Sequence, residues 1–198
     1  MSYSIENRRV SIASRLQDWS HHAGLIEKLL ASVLFATLMA LAAQLRFPLP
    51  FTPVPLTGQV LVVLLAGFVL ERWAGVSMGF YLLFGSVGGW FSGLVGLAAF
   101  SGTTAGYLFG FVAAAGLVGE IARRRKAWSY RQIVLVMGAG QSVIYALGAA
   151  WLILAFHLSP GEAVLVGVVP FLAADAAKIG LATAAASLLT PRRVPAQP

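Results

Sequence analysis

Six apolar runs, each close to the length that crosses a bilayer, leave this chain few ways to fold. A spanning helix needs roughly 20 mainly apolar residues. The sequence supplies such runs at about 28–46, 54–71, 73–91, 103–121, 132–156 and 164–189. Only 11% of the residues are charged and the mean hydropathy is +0.82. A water-soluble domain would lack the polar surface it needs. The expected fold class is therefore all-α and integral to the membrane, with six transmembrane helices.

The connections set the orientation. Of the 14 Lys and Arg, all but Arg46 and Lys178 fall in the N-terminal segment, the second and fourth connections, or the tail. Six spans bring all of those to one side, and the positive-inside rule makes that side, with both termini, cytoplasmic. The run Arg123, Arg124, Arg125, Lys126 then reads as a topology determinant, and the net charge of +7 calls for no nucleic-acid partner. Residues 1–24 read as a cytoplasmic N-terminal segment with amphipathic character, without the apolar run of a signal peptide. Residues 25–190 form the membrane domain and 191–198 a cytoplasmic tail. The outward loops are 47–53, 92–102 and 157–163. Spans two, four and six start on the outer side, and their free N–H groups and positive dipole ends suit an anion arriving from outside.

Asp175 and Lys178 stand within the sixth run, in PFLAADAAKIG. On a continuous sixth span Asp175 lies about eleven residues in, or roughly 16 Å at ~1.5 Å per residue. An ionised side chain there costs ~2.5–3.5 kcal/mol on insertion scales, so it must face protein or a wet cavity. The i, i+3 spacing puts both heads on one helix face, leaning toward the helix N-terminus. Three readings stand: a self-neutralising structural pair, a proton relay, or a ligand site. A carboxylate beside an ammonium offers acceptors next to donors, which suits a small molecule with adjacent N–H and C=O groups, such as a cyclic urea or an amide.

Other residues gather near the outer ends of the spans. Four prolines, Pro48, Pro50, Pro53 and Pro55, make the first loop rigid and extended. Thr57 and Gln59 follow on different faces of the second helix; Gln59 faces either a pocket or a helix contact. Gly102, Gly106 and Gly110 form a small-residue stripe for close helix packing. Thr103, Thr104 and Tyr107 lie in the first turns of the fourth span, where hydroxyls and free N–H groups suit a carboxylate, and Thr104 doubles as an N-cap candidate. Gln141 and Tyr145, four apart, are polar marks on the fifth span able to face the same cavity. Ser32, Ala36 and Ala40 line the first span at four-residue spacing, either for internal packing or as a stripe where a membrane partner docks. No phosphate-binding loop, nucleophile elbow or metal-spaced cluster occurs. No enzyme, bound cofactor or metal is expected, and the absence of cysteine removes disulfides.

In sequence order, Pro55-Thr57-Gln59, the Gly-rich GSVGGWFSGLVG, Gly102-Thr104-Gly106-Tyr107 and Asp175-x-x-Lys178 resemble the BioY family over roughly residues 25–190. That family comprises the biotin-specific substrate-binding (S) components of energy-coupling-factor (ECF) transporters. GTTAGY stands here where the family usually has Gly-Pro-Thr-Gly-Gly-Tyr, and WFSG where it has Pro-Val-Phe-Ala-Gly. The resemblance implies a six-helix S component of the cell membrane with an outward-facing pocket that captures biotin. ATP would enter only through partners: two cytoplasmic ATPases and a transmembrane coupling protein, with solitary or oligomeric function the other arrangement. It further implies that Ser32, Ala36 and Ala40 match the docking stripe of S components. Asp175 would accept ureido N–H groups and Lys178 donate to the ureido carbonyl, with Gln59, Thr104, Tyr107 and Tyr145 completing the site. An S component for another small vitamin, or a non-transporting scaffold subunit, are the alternatives.

Overall fold

The computed structural model describes residues 22–91, 96–125 and 127–189. Most of the N-terminal segment 1–24, all of the tail 191–198, Lys126 and part of the 92–102 loop lie outside the described residues. Helix α1 (Leu25–Gln44) leads into a hairpin of β1 (Arg46–Phe47) and β2 (Leu56–Thr57), followed by α2 (Gln59–Leu70) and α3 (Trp73–Gly88). After a 3-10 turn at Gly96–Phe100 come α4 (Ala105–Ala122) and α5 (Tyr130–Phe156). The described residues end with α6 (Pro160–Gly167), a second 3-10 turn at Val169–Phe171 and α7 (Leu172–Leu189). Leu25–Gln44, Ala105–Ala122, Tyr130–Phe156 and the bent segment Pro160–Leu189 are long and apolar enough to cross a membrane. Gln59–Leu70 and Trp73–Gly88 are apolar but shorter.

The outward surfaces are greasy, as lipid requires. Along α1, Leu30, Leu34, Leu38 and Leu41 are exposed, while Ser32, Ala36, Met39 and Ala43 face the interior. Ser77 of α3 donates to the Ser32 carbonyl at 2.8 Å, so the small residues let two helices approach closely. That corrects the docking stripe: Ser32 and Ala36 have no exposed surface, and Ala40 is half-buried against the core. The stripe is an internal seam with α3.

Helix α4 runs through the middle, with Leu108, Phe111, Ala115 and Val118 all buried. Its glycines allow α5 to lie directly against it. A Cβ at Gly106 would collide with the Leu147 carbonyl oxygen and Trp151 Cβ; one at Gly110 would stand 3.0 Å from Ile144 Cα. Gly148 of α5 returns the contact by leaving room for the Tyr107 ring.

Two helix edges differ from the expected spans. The second run does not start a helix at 54: Pro53 and Pro55 keep the chain extended, Leu56–Thr57 pairs antiparallel with Arg46–Phe47, and α2 begins at Gln59. Gly58 closes this entry by donating its N–H to the Ala42 carbonyl at 3.2 Å. The sixth run is not one straight helix. Pro170 has no N–H to give and its ring crowds the carbonyl four residues back, so α6 stops at Gly167 and α7 restarts at Leu172.

Gly106→Leu is expected to lower stability by about 1–3 kcal/mol, the usual cost of overpacking. Gly138→Ala, in open space on α5, is expected to leave the melting temperature of detergent-purified protein unchanged.

Candidate ligand-binding site

The break before α7 decides where the buried charge sits. Asp175 is in the first turn of α7, not deep in a continuous helix as the sequence reading had it. There the N–H groups without intrahelical partners and the positive dipole end favour a carboxylate. Asp175 is only 4% exposed. Its Oδ1 accepts from Lys178 Nζ at 2.7 Å. Its Oδ2 accepts from Gln141 Nε2 at 2.8 Å and from Tyr145 OH at 2.7 Å. Gln141 and Tyr145, one turn apart on α5, thus meet α7 as a pair. Lys178 keeps 15% of its side chain exposed and spends one of its three donors on Asp175.

Two side-chain donors from other elements hold the break itself. Carbonyls at a helix C-terminus lack intrahelical partners. Thr52 Oγ1, from the hairpin loop, donates to the Val166 carbonyl at 2.6 Å. Tyr107 OH, from α4, donates to the Gly167 carbonyl at 2.7 Å.

A second polar cluster lies at the start of α2. Thr57 Oγ1 donates to Gln59 Oε1 at 2.9 Å, and Gln59 Nε2 donates to Tyr81 OH at 2.8 Å. The expectation that Thr57 and Gln59 face apart assumed both were helical. With Thr57 in β2 the two side chains meet. Thr104 occupies the N-cap position of α4, but its side chain makes no capping bond. Thr103 Oγ1 donates instead to the Pro53 carbonyl at 3.1 Å, tying the start of α4 to the hairpin.

All six residues expected at a ligand site, Gln59, Thr104, Tyr107, Tyr145, Asp175 and Lys178, line one cavity of about 270 Å³. Its size is just below the roughly 300–1,000 Å³ usual for small-molecule sites. Phe91, Phe111, Ile144 and Phe171 supply apolar walls, and Arg46 of β1 adds a cation to the lining. Sequence reasoning missed Tyr81, Phe91 and Phe171 as lining residues. They sit among other aromatic and apolar residues, and no spacing marks them. Arg46 had a signal, being the one cation at the outer end of an expected span.

A helical membrane protein with a cavity lined by polar side chains and by aromatic and apolar walls is the class this geometry defines. The BioY family model matches residues 11–194. The biotin transporter BioY of Thermotoga maritima is 32% identical over 163 residues, covering 79% of this chain and 92% of that protein. The probable biotin transporter BioY of Pyrococcus horikoshii is 35% identical over 161 residues, covering 79% and 91%. Among solved structures, the S-component for biotin from an ECF-type ABC transporter superposes with a TM-score of 0.76 over 83% of this chain and 90% of that one, at 22% identity. The chain belongs to the BioY family.

Removing the carboxylate alone strands the ammonium. Asp175→Leu is expected to destabilise the protein by roughly 3–5 kcal/mol, the range for breaking a buried pair. The double variant Asp175→Leu/Lys178→Met should recover only part of that loss, because Gln141 Nε2 and Tyr145 OH still lack their acceptor, read as thermal unfolding in detergent.

Proposed function

We propose that this protein is the biotin-binding S component of an ECF-type transporter and takes part in biotin uptake across the cell membrane. The observation that carries the proposal is the Asp175–Lys178 pair lining a ligand-sized cavity, in a chain whose matched relatives are named biotin transporters. A ureido ring has the complementary pattern. Lys178 donates to its carbonyl, Asp175 accepts from its ring nitrogen, and Phe111, Ile144 and Phe171 take its apolar faces. The carboxylate of the ligand lies toward the start of α4, where Thr103 and Thr104 line the cavity at the positive end of the helix dipole, with Arg46 adding positive charge on the same lining.

In this reading the bundle has six spans and both termini are cytoplasmic, as the distribution of cations favours. The hairpin end and its cavity face outward in the cytoplasmic, or inner, membrane. The chain has no phosphate-binding loop, so ATP is handled by partner subunits: two ATPases and a transmembrane coupling protein, unless the chain works alone or as an oligomer. It needs no cofactor and no nucleic acid.

Labelled biotin is expected to bind the detergent-purified protein and raise its melting temperature above that seen with other vitamins. Asp175→Asn and Lys178→Met are each expected to weaken binding by about 100-fold, the loss of one charge-assisted hydrogen bond in a desolvated site. Unchanged affinity in both variants would remove the pair from the site. A protein stabilised by no vitamin would be a scaffold subunit instead.

A further inference from the structure

We propose that an anionic phospholipid binds at the end of the bundle opposite the hairpin, its phosphate held by Arg124 and Arg125. The proposal needs only the membrane setting and is independent of what fills the cavity. Thr103 ties the start of α4 to the hairpin, so the last turn of α4 lies at the far end. Helix α4 has 18 residues, or about 27 Å at ~1.5 Å per residue, close to the roughly 30 Å of a bilayer's hydrocarbon. Arg123, Arg124 and Arg125 follow Ala122 directly and so fall at headgroup depth. The turn between α2 and α3 packs against the same end, since a Cβ at Gly119 would strike the Glu71 carbonyl. Among the described residues, these two connections and the helix turns beside them hold Arg72, Arg123, Arg124, Arg125 and Arg131 against Glu71 and Glu120.

Glu120 does not cancel this charge. Its carboxylate accepts from Arg123 Nη2 at 2.7 Å and from Arg124 Nη2 at 3.0 Å, so one negative charge is shared by two cations. Arg124 gives two of its five N–H donors to Glu120, and its side chain is 68% exposed. Among the described residues no carboxylate pairs with Arg125. Its guanidinium lies over the Trp128 ring, 5.7 Å from the centroid. Trp128 is itself fixed: its Nε1 donates to the Arg125 carbonyl at 3.1 Å, and its ring stands edge-on to Phe68 of α2. The indole thus braces one face of the cation and leaves the N–H groups around its edge for an anion. Two neighbouring arginines, each with donors to spare, match the oxygens of a phosphodiester. Depth favours a lipid as the source of that phosphate, because the span of α4 holds both groups in the layer where headgroups lie. Tyr130, 53% exposed at the start of α5, adds the amphipathic ring usual at this level.

Native mass spectrometry of the protein, equilibrated with equal amounts of phosphatidylglycerol and phosphatidylcholine, reads the selectivity. At about fivefold per cation near an anionic lipid, wild type is expected to retain phosphatidylglycerol roughly 25-fold over phosphatidylcholine. Arg124→Gln/Arg125→Gln should bring that ratio close to one, with melting in plain detergent unchanged. Arg192→Gln/Arg193→Gln removes the same charge from the tail and should keep the wild-type ratio. Equal retention of both lipids by wild type overturns the proposal. So does an equal loss of selectivity in the two double variants, which would make the attraction a matter of net charge alone. Inorganic phosphate separates the two sources of the anion. It should leave the melting temperature where it is, while phosphatidylglycerol raises it; a rise of the same size with phosphate would assign the site to a free anion and overturn the lipid. Should Arg124→Gln/Arg125→Gln fail to fold, Arg124→Gln alone, at a mostly exposed side chain, carries the comparison. A drop of about fivefold in the ratio is then expected, and no drop overturns the site.

Discussion

A carboxylate among apolar helices is tolerated only where the protein supplies its hydrogen bonds, and that demand organises this bundle. Asp175 draws a cation from its own helix, an amide and a phenol from α5, and the favourable end of a helix that begins three residues earlier. Move any of these and the charge is left wanting. The break at Pro170 is thus the means by which the polar end of α7 is brought to the cavity. A straight helix over the same residues would have placed Asp175 in mid-helix, where every backbone N–H is already spent.

The glycine seam serves the same end at a distance. Because Gly106 and Gly110 let α5 lie against α4, Gln141 and Tyr145 reach α7 on one side while Tyr107 reaches the last carbonyl of α6 on the other. Larger residues along the seam would separate the donors from the acceptors they satisfy. Packing and polarity therefore depend on the same few backbone approaches, and the cavity lies beside them.

Much of this was legible in the sequence for physical reasons that act locally. Apolar runs announce membrane helices because nothing else survives in lipid, and the charges at Asp175 and Lys178 stand out because their setting makes them expensive. Glycine spacing in α4 was read correctly as packing, since a helix repeats its faces every three to four residues. What failed was anything decided between elements. Ser32 and Ala36 have the pattern of either an internal seam or a docking face, and only the presence of Ser77 opposite them separates the two. Thr57 and Gln59 were placed on one helix, and two prolines upstream were not given enough weight against the apolar run. Tyr81 carries no pattern at all. Its role comes from Gln59, 22 residues earlier in the chain.

The two carbonyls at the end of α6 carry a consequence for how the chain assembles. Val166 and Gly167 take their donors from Thr52 and Tyr107, which precede them by 114 and 60 residues. A segment 160–189 alone in lipid would hold a bend whose polar groups have nothing to bind, a state the hydrocarbon penalises. Synthesis from the N-terminus makes the hairpin loop and α4 before the bent segment, so both donors precede the carbonyls they satisfy. The order of the elements along the chain thus supplies the donors of a broken membrane helix ahead of the break itself.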